Sequence, residues 1–366
     1  MTRRWRIGLP VLVLLLGLVE VAWGRRVSGQ AASVRALAGK PQRAPWRGRA
    51  IGSKWRNATQ GGRRRNLLGR RQRQAAIGRP KGMRPLAGSQ MAPALAPIHM
   101  LRPDVPPAQL VAGFERYRSI IGRVRAASRS NPGGLRVTRA GRASGLSILR
   151  VDLIGDQPVA GRRPRVLVVG GMHAGNETVG EETATRFIEA ASRDPALRNQ
   201  FDITVVPLLN PTGLVLGERE NAGGTDVNRS FAPGKWTAES AVIRDIAEGE
   251  HFDLVIDLHG AGSRGRNGFF LIHPGDDRGM SGRILSPLES SALMDSPTGS
   301  VGPYTLDHLG SSVSSNQGTL TGFFAARGTR HSYTVEAPLK LDPERQVRGM
   351  VKLLRSSLFN VRRHGG

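Results

Sequence analysis

The chain contains Arg165-Val-Leu-Val-Val-Gly-Gly-Met-His-Ala-Gly-Asn-Glu177, an apolar run that ends in two glycines and is followed at once by a histidine and a glutamate. A short uninterrupted run of β-branched and aliphatic residues is typical of a strand buried on both faces. The run therefore predicts an interior strand, with His173 and Glu177 just beyond its carboxyl end.

Similar runs recur along residues 101–366, and helical patterns separate them. The predicted strands are 135–138, 146–154, 165–170, 203–209, 254–258, 269–273 and 333–336. The predicted helices, with apolar residues three and four apart, are 108–128, 181–192 and 346–359. Strands that alternate with helices indicate an α/β fold in which helices cover both faces of one sheet, and this length suits a single domain.

Polar residues stand at or just after the ends of four predicted strands, where the apolar runs stop. They are His173, Asn210, His259 and Glu336. In open α/β sheets, ligands bind beyond the carboxyl ends of the strands. We therefore expect these side chains to lie at one site.

The residue types at this site favour metal chemistry. The chain has no cysteine, which excludes disulfides, cysteine-based metal sites and a thiol nucleophile. His173, Glu177 and His259 offer two imidazoles and one carboxylate, a set that suits one zinc ion with an open position for water. Glu336 would then be the general base that accepts a proton from that water and passes it to a leaving amine.

A glycine-rich stretch, residues 219–231, supplies candidate anion-binding side chains. Arg219 is expected to stabilise the oxyanion that develops on a substrate carbonyl. Asn228 and Arg229 are expected to bind a substrate carboxylate, because a guanidinium group can hold it in bidentate fashion. Asp226 suits a turn or a cap equally well and is assigned no catalytic role.

Five motifs, in this order, resemble those of the zinc metallocarboxypeptidases and of their deacylase relatives, the aspartoacylase and succinylglutamate desuccinylase branch. The matching segments are Gly171–Gly180, Asn210-Pro-Thr-Gly213, Gly224-Thr-Asp-Val-Asn-Arg-Ser-Phe231, Asp257-Leu-His259 and Thr334-Val-Glu336. The resemblance spans roughly residues 108–360. It implies a carboxypeptidase-like catalytic domain at 106–363 with a mixed, twisted sheet, and the same roles for the site residues named above.

One spacing differs from the family pattern, in which two residues separate the first His from the Glu. Here three residues, Ala174-Gly-Asn176, separate them. Residues four apart can share one helical face. Either the loop accommodates the extra residue, or Glu177 misses the metal and Glu181 or Glu182 is the ligand.

Two further positions are inferred only from their place in the chain before Glu336. Tyr304 is a candidate for the tyrosine that such peptidases carry on a mobile loop. Thr321 lies about where they place a residue that sets side-chain specificity.

Basic charge is concentrated at the N-terminus, where residues 1–100 hold 21 of the 54 Lys and Arg residues but one of the 28 acidic residues. Residues 1–24 join an Arg-rich start to an apolar run of signal-peptide length, which predicts a signal peptide or N-terminal anchor and an exported protein. Residues 25–105, rich in Arg, Gly and Pro, lack apolar periodicity. They predict a disordered segment that contacts polyanions non-specifically.

The sequence thus predicts a zinc-dependent hydrolase that cleaves an amide bond adjacent to a free carboxylate. The first hypothesis is a metallocarboxypeptidase acting on peptides or cell-wall peptides. An N-acyl amino acid deacylase with the same site is the alternative. A non-catalytic ligand-binding module, which the irregular His173–Glu177 spacing would suit, is a hypothesis of another class. The expected ligand is a small peptide or an N-acyl amino acid, and the oligomeric state is left open.

Overall fold

A computed structural model describes residues 96–157, 161–262, 268–275, 277–293, 300–314 and 318–364. The predicted signal segment, 1–24, and the part of the predicted basic segment that precedes residue 96 lie outside the described residues. Among the described residues, no helix combines the length and the apolar character needed to cross a membrane.

The first described element is a short helix, α1 (Ala96–Leu101), on which Ile98 is fully buried. Directly after it, Arg102 donates a hydrogen bond to Glu218, with Nη2 and Oε1 2.7 Å apart. The described structure therefore includes one short helix upstream of Pro106. A helix of six residues is too short to show a recognisable apolar periodicity in the sequence.

The strands form one large sheet and one short pair. They are β1 (Leu135–Ala143), β2 (Leu146–Leu153), β3 (Arg165–Val169), β4 (Asp202–Val206), β5 (Leu254–Ala261), β6 (Phe270–His273), β7 (Ser300–Val301), β8 (Tyr304–Thr305), β9 (Ser311–Val313) and β10 (His331–Pro338). The large sheet has the order β1-β2-β4-β3-β5-β10-β6-β9, and β7 pairs with β8. The four central strands β4, β3, β5 and β10 are parallel, whereas β2 and β6 run antiparallel to their central neighbours. The sheet is mixed, as expected.

Helices cover both faces of this sheet. Besides α1, they are α2 (Pro107–Ser130), α3 (Val179–Ser192), α4 (Pro195–Arg198), α5 (Pro211–Leu216), α6 (Ala238–Gly249), α7 (Arg278–Leu285), α8 (Leu320–Ala326) and α9 (Pro343–His364). Side chains alternate along a strand, so β3 contributes to two cores. Val166 and Val168 join the core that contains α2, α3 and α9, whereas Leu167 and Val169 join the core that contains α6 and α8. The predicted α/β fold is confirmed.

Two central strands extend further than the sequence predicted. β5 runs to Ala261 and β10 to Pro338, and these two residues are partners in a parallel register. Gly260 and Pro338 resemble strand-ending signals, but the ladder between β5 and β10 runs through Gly260 and includes Pro338 as its last residue on β10. His259 consequently lies inside β5 and not after it, and Glu336 lies inside β10, two residues before its end.

Candidate active site

The turn after β3 brings His173 and Glu177 together. The backbone N–H of Glu177 donates to the His173 carbonyl at 2.9 Å, which is one helical turn. The Oε1 atom of Glu177 lies 3.1 Å from His173 Nδ1. The loop thus accommodates the extra residue by closing a turn that places the two side chains on one side.

Two glycines allow this turn to fit. Gly171 has a φ of 64°, in the left-handed region that favours glycine. A Cβ on Gly175 would lie 2.0 Å from the backbone nitrogen of Glu218, so only glycine can pass there without moving one of the two segments. The loop that carries His173 and Glu177 is therefore pressed against the loop that carries Arg219.

His259 reaches the same point from β5. Its Nδ1 lies 2.9 Å from Glu177 Oε2, and the backbone N–H of Gly260 donates to that oxygen at 3.2 Å. The rings of His173 and His259 have centroids 4.7 Å apart. Both Nδ1 atoms thus face the carboxylate of Glu177, one at each oxygen.

These three residues fit a divalent metal ion. Their donor atoms all lie within 4.8 Å of one another, and all three side chains are buried. Burial acts to raise the pKa of Glu177, but hydrogen bonds from His173 and His259 hold that pKa well below its ordinary value. The result is an ionised carboxylate between two imidazoles, which is a donor set that catalytic zinc sites use.

The alternative ligands Glu181 and Glu182 lie elsewhere. Both are on α3 and face α2: Glu181 lies 3.5 Å from Arg116 Nη2, and Glu182 lies 2.7 Å from Arg123 Nη1. They do not join the cluster that contains Glu177, because α3 begins only after the turn has carried the chain past the site.

Asp226 contacts His173 at Nε2, the ring nitrogen that faces away from Glu177. Its Oδ1 lies 2.9 Å from His173 Nε2, and its Oδ2 accepts from Arg219 Nε at 3.2 Å. The same side chain accepts from the backbone N–H of Asn228 at 2.9 Å and so caps a short 3-10 helix, Val227–Arg229. Capping was one of the roles that the sequence suggested for Asp226. The contact with His173 was not predicted. The feature of the sequence that could have indicated it is the position of Asp226 just before the Asn-Arg pair.

Arg219 lies directly beside the cluster. Its Nη1 donates to Glu177 Oε1 at 2.7 Å, and about a third of its side chain is exposed. The positive charge is thus held at the edge of the candidate metal site.

Asn228 and Arg229 lie on the opposite side of His259. Asn228 is buried; its Oδ1 accepts from the backbone N–H of Leu320 at 3.0 Å, and its Nδ2 lies 3.3 Å from His259 Nε2. Arg229 Nη1 donates to the Asn228 carbonyl at 2.8 Å. The Asn228 side chain, which lines the cavity, therefore also contacts Leu320 and His259, and the sequence did not indicate these two contacts.

Glu336 faces the cluster from β10, where it is the register partner of His259. Burial raises the pKa of Glu336 to about 7, with the charge of His259 opposing the rise and that of Glu177 adding to it. No described residue donates a hydrogen bond to its carboxylate.

One cavity of about 610 Å³ joins these groups. It is lined by every predicted site residue: His173, Glu177, Arg219, Asn228, Arg229, His259 and Glu336. Tyr304 and Thr321 also line it. Asn210 does not, because its buried side chain caps α5 by accepting from the backbone N–H of Gly213 at 2.8 Å. The expectation that Asn210 shares the site was wrong.

Comparison with known proteins identifies a related catalytic domain. The family model of the succinylglutamate desuccinylase/aspartoacylase catalytic domain matches residues 162–312. Murein peptide amidase A of Escherichia coli is 33% identical over 112 residues, which cover 31% of this chain and 44% of that protein. Cytosolic carboxypeptidase 3 of Bos taurus is 28% identical over 192 residues, covering 48% of this chain and 18% of that protein. The chain thus matches less than half the length of these curated relatives.

Solved structures share the fold. A proposed metallopeptidase from Shewanella amazonensis superposes with a TM-score of 0.57 at 19% identity, covering 67% of this chain and 92% of that one. A metallo-carboxypeptidase from Burkholderia cenocepacia gives a TM-score of 0.54 at 18% identity and covers 68% of each chain. The family match, the amidase relative and the shared fold support a place for this chain in the zinc metallocarboxypeptidase superfamily, which includes the succinylglutamate desuccinylase and aspartoacylase branch.

Proposed function

We propose that the protein is a zinc-dependent hydrolase that cleaves an amide bond adjacent to a free carboxylate in peptides or cell-wall peptides. The observation that carries the proposal is the convergence of two imidazoles and a carboxylate at a cavity that also contains a second buried carboxylate and two guanidinium groups. This set of groups is what metal-assisted amide hydrolysis requires.

His173, Glu177 and His259 would hold the ion through the two Nδ1 atoms and the Glu177 carboxylate. When bound, zinc lowers the pKa of a water molecule and polarises a substrate carbonyl. Asp226 orients His173 through Nε2, which leaves Nδ1 directed at the site.

Glu336 would move the proton. Its pKa of about 7 lies near neutral pH, where a carboxylate can both accept a proton and return it. Glu336 would take the proton from the attacking water and deliver it to the nitrogen of the leaving amine.

Arg219 and Arg229 would bind two different oxygen groups of the substrate. Arg219 lies beside Glu177 and would stabilise the charge that develops on the carbonyl oxygen. Arg229, with Asn228 next to it, would bind the free carboxylate and so fix which amide bond reaches Glu336. Tyr304, which lines the cavity from β8, would contribute a phenolic donor, and Thr321 would contact the substrate side chain.

Two candidate substrate classes have separate support. The similarity to a murein peptide amidase and a cytosolic carboxypeptidase favours peptides, including cell-wall peptides. The match to the desuccinylase and aspartoacylase catalytic domain favours N-acyl amino acids, which also carry an amide next to a carboxylate. We place peptides first, because both sequence relatives have names that refer to peptide hydrolysis.

The hypothesis of a non-catalytic binding module rested on the irregular spacing of the first two ligands. The turn from His173 to Glu177 removes that reason, since it brings both side chains to the cluster. Tight ligand binding without turnover would still support a non-catalytic binding module.

The location of the protein is proposed from the sequence. The signal-like segment 1–24 supports export, either as a released protein or anchored by that segment. The basic segment that follows would contact polyanions non-specifically.

The proposal is tested by metal analysis and a substrate panel. The purified chain should contain one zinc ion, and it should hydrolyse peptides or cell-wall peptides more efficiently than N-acyl amino acids. A chelator should abolish the activity and added zinc should restore it. A chain without stoichiometric metal, together with full activity of Glu336→Gln, would contradict the proposal. Preference for N-acyl amino acids would instead support the deacylase.

A further inference from the structure

Asp257 is a fully buried carboxylate to which no role has yet been given. It lies two residues before His259 on β5, and residues two apart on a strand point to the same face. Its partners on the neighbouring strands are Val169 and Thr334. Asp257 therefore lies one step deeper in the sheet than His259, directly behind the candidate metal site.

The surroundings of Asp257 do not satisfy its charge. Within the described residues, neither carboxylate oxygen has a hydrogen-bond partner. Burying a carboxylate without partners is costly, so such a group in a folded protein needs an explanation. Its cationic neighbour is His259, with Nε2 2.9 Å from Oδ2. That distance allows an ion pair, although the ring N–H is not aligned with the oxygen as a hydrogen bond requires.

A second group approaches the same ring nitrogen. Asn228 Nδ2 lies 3.3 Å from His259 Nε2, and an amide N–H can donate only to a nitrogen that carries no proton. In that tautomer the proton is on Nδ1, facing Glu177, and Nδ1 has no lone pair for a metal. Asp257 favours the opposite tautomer, because its negative charge, 2.9 Å from Nε2, stabilises a proton on that nitrogen. The two neighbours thus favour different proton positions on one imidazole.

We propose that Asp257 is a positioning residue that keeps the proton of His259 on Nε2 and so keeps Nδ1 available to the metal. The inference rests on the metal site of the proposed function. Asp226 lies at the same distance, 2.9 Å, from Nε2 of His173 and forms a hydrogen bond there, so each imidazole has a carboxylate beside Nε2. Asp226 is partly exposed and also binds Arg219, whereas Asp257 is buried and has His259 as its one charged contact among the described residues.

The test compares Asp257→Asn and Asp257→Ala with the wild-type chain. The dissociation constant for Zn²⁺ is measured by competition with a chromophoric chelator, and the absorption spectrum is recorded for the Co²⁺-loaded proteins. Partners of metal-bound histidines typically contribute a factor of about 10–100 to metal affinity. We expect Zn²⁺ binding to weaken by about 10–100-fold in both variants, because each removes the negative charge of Asp257. The Co²⁺ bands should shift in both variants.

A matched control separates positioning from a general effect on the sheet. Asp277 also contacts a histidine, with Oδ2 2.7 Å from His331 Nδ1, but His331 is at the first residue of β10 and about 16 Å along the strand from Glu336. Asp277→Asn should leave the Zn²⁺ affinity unchanged. Unfolding of every variant is followed in the presence of chelator, which measures the fold without metal.

The outcomes are distinguishable. Wild-type affinity and an unchanged Co²⁺ spectrum in Asp257→Asn would overturn the positioning role while leaving the proposed function intact. A wild-type chain that binds no Zn²⁺ would overturn both. If Asp257→Ala does not fold, Asp257→Asn decides, because its shape is nearly that of the native residue.

Discussion

Glu336 and His259 are direct partners in the parallel register of β10 and β5. The backbone ladder that pairs these strands therefore holds the candidate base next to a candidate metal ligand. No side-chain hydrogen bond to Glu336 is needed for this, and among the described residues none is present. The carboxylate can face water and substrate while its backbone stays fixed.

Replacing Glu336 by Gln should separate catalysis from metal binding. The amide cannot accept the proton of the attacking water, so kcat should fall by a factor of about 10²–10⁴. Because Glu336 is not one of the three clustered ligands, the zinc content should stay that of the wild type. Glu344→Gln, at an exposed position that pairs with Arg186, is the control and should keep full activity. Loss of zinc in Glu336→Gln would argue that Glu336 is a ligand.

Arg229 should determine selectivity for a free carboxylate. Hydrogen bonds to charged groups contribute about 1.5–3 kcal/mol, so Arg229→Ala should raise KM by a factor of roughly 10–100. The same variant should hydrolyse a substrate and its carboxamide with similar kinetics, because it lacks the guanidinium group that binds the free carboxylate. Arg229→Lys should recover part of the selectivity, since it keeps the charge but not the bidentate geometry.

The control for Arg229 is Arg244→Ala on α6, where the guanidinium binds Asp245 on the surface. Steady-state kinetics on matched acid and carboxamide substrates provide the measurement. Equal discrimination by Arg229→Ala and by the wild type would remove Arg229 from the substrate site.

Glu181 should make stability depend on pH. Burial raises its pKa to about 8, above the ordinary 4.5, so the fold accommodates the protonated form. Its contribution is fully present below about pH 4.5 and is lost as the pH rises toward 8. Glu181→Gln should therefore change the free energy of unfolding little at pH 4.5 and increase it at pH 8, by up to on the order of 4 kcal/mol. Urea unfolding at both values measures the effect.

The neighbouring Glu182 should behave in the opposite way. Burial acts to raise its pKa, but hydrogen bonds from Arg123 and Arg186 hold it below its ordinary value. Its contribution is present above that ordinary value and is lost as the pH falls through the lowered pKa. Glu182→Gln should then destabilise the protein at pH 8. If Glu181→Gln also lowered the free energy of unfolding at pH 8, the conclusion that burial raises the pKa of Glu181 would be wrong.

Two glycines of α2 should respond oppositely to alanine. A Cβ on Gly122 would meet no atom within 4 Å, so Gly122→Ala should stabilise the protein by about 0.5–1 kcal/mol through helix propensity. A Cβ on Gly113 would lie 2.3 Å from the Val215 carbonyl oxygen on α5, so Gly113→Ala should destabilise it, by about 1–3 kcal/mol. Thermal unfolding of both variants tests the close packing of α2 on α5, and stabilisation by Gly113→Ala would show that these helices are further apart.

Much of the fold was predictable because its central strands are continuous apolar runs, such as 165–170 and 254–258. Their order along the chain also indicated which polar residues meet, and His173, Glu177 and His259 do meet. Strand ends were less predictable, because Gly260 and Pro338 are residues that usually end a strand. Here each pairs with a residue of the neighbouring strand, which the sequence alone does not show.

The contacts behind the site could not be predicted in the same way. Asn228 was assigned to substrate binding from its motif, but that assignment did not reveal that its oxygen accepts from the backbone of Leu320, 92 residues away along the chain. Asp257 is separated from His259 by one residue, yet the sequence does not show that burial leaves its carboxylate without other partners. Such roles depend on which residues surround a side chain in space, and local sequence patterns do not reveal those neighbours.

Glu218 connects three parts of the chain. It binds Arg102 after α1, its backbone lies against Gly175 in the loop of His173 and Glu177, and it directly precedes Arg219. A chain trimmed to start at Pro106 would keep every residue of the cavity but lose the contact that braces both loops from outside. Anyone who shortens this protein for expression should therefore cut upstream of Ala96, or expect an enzyme whose active-site loops are less firmly held.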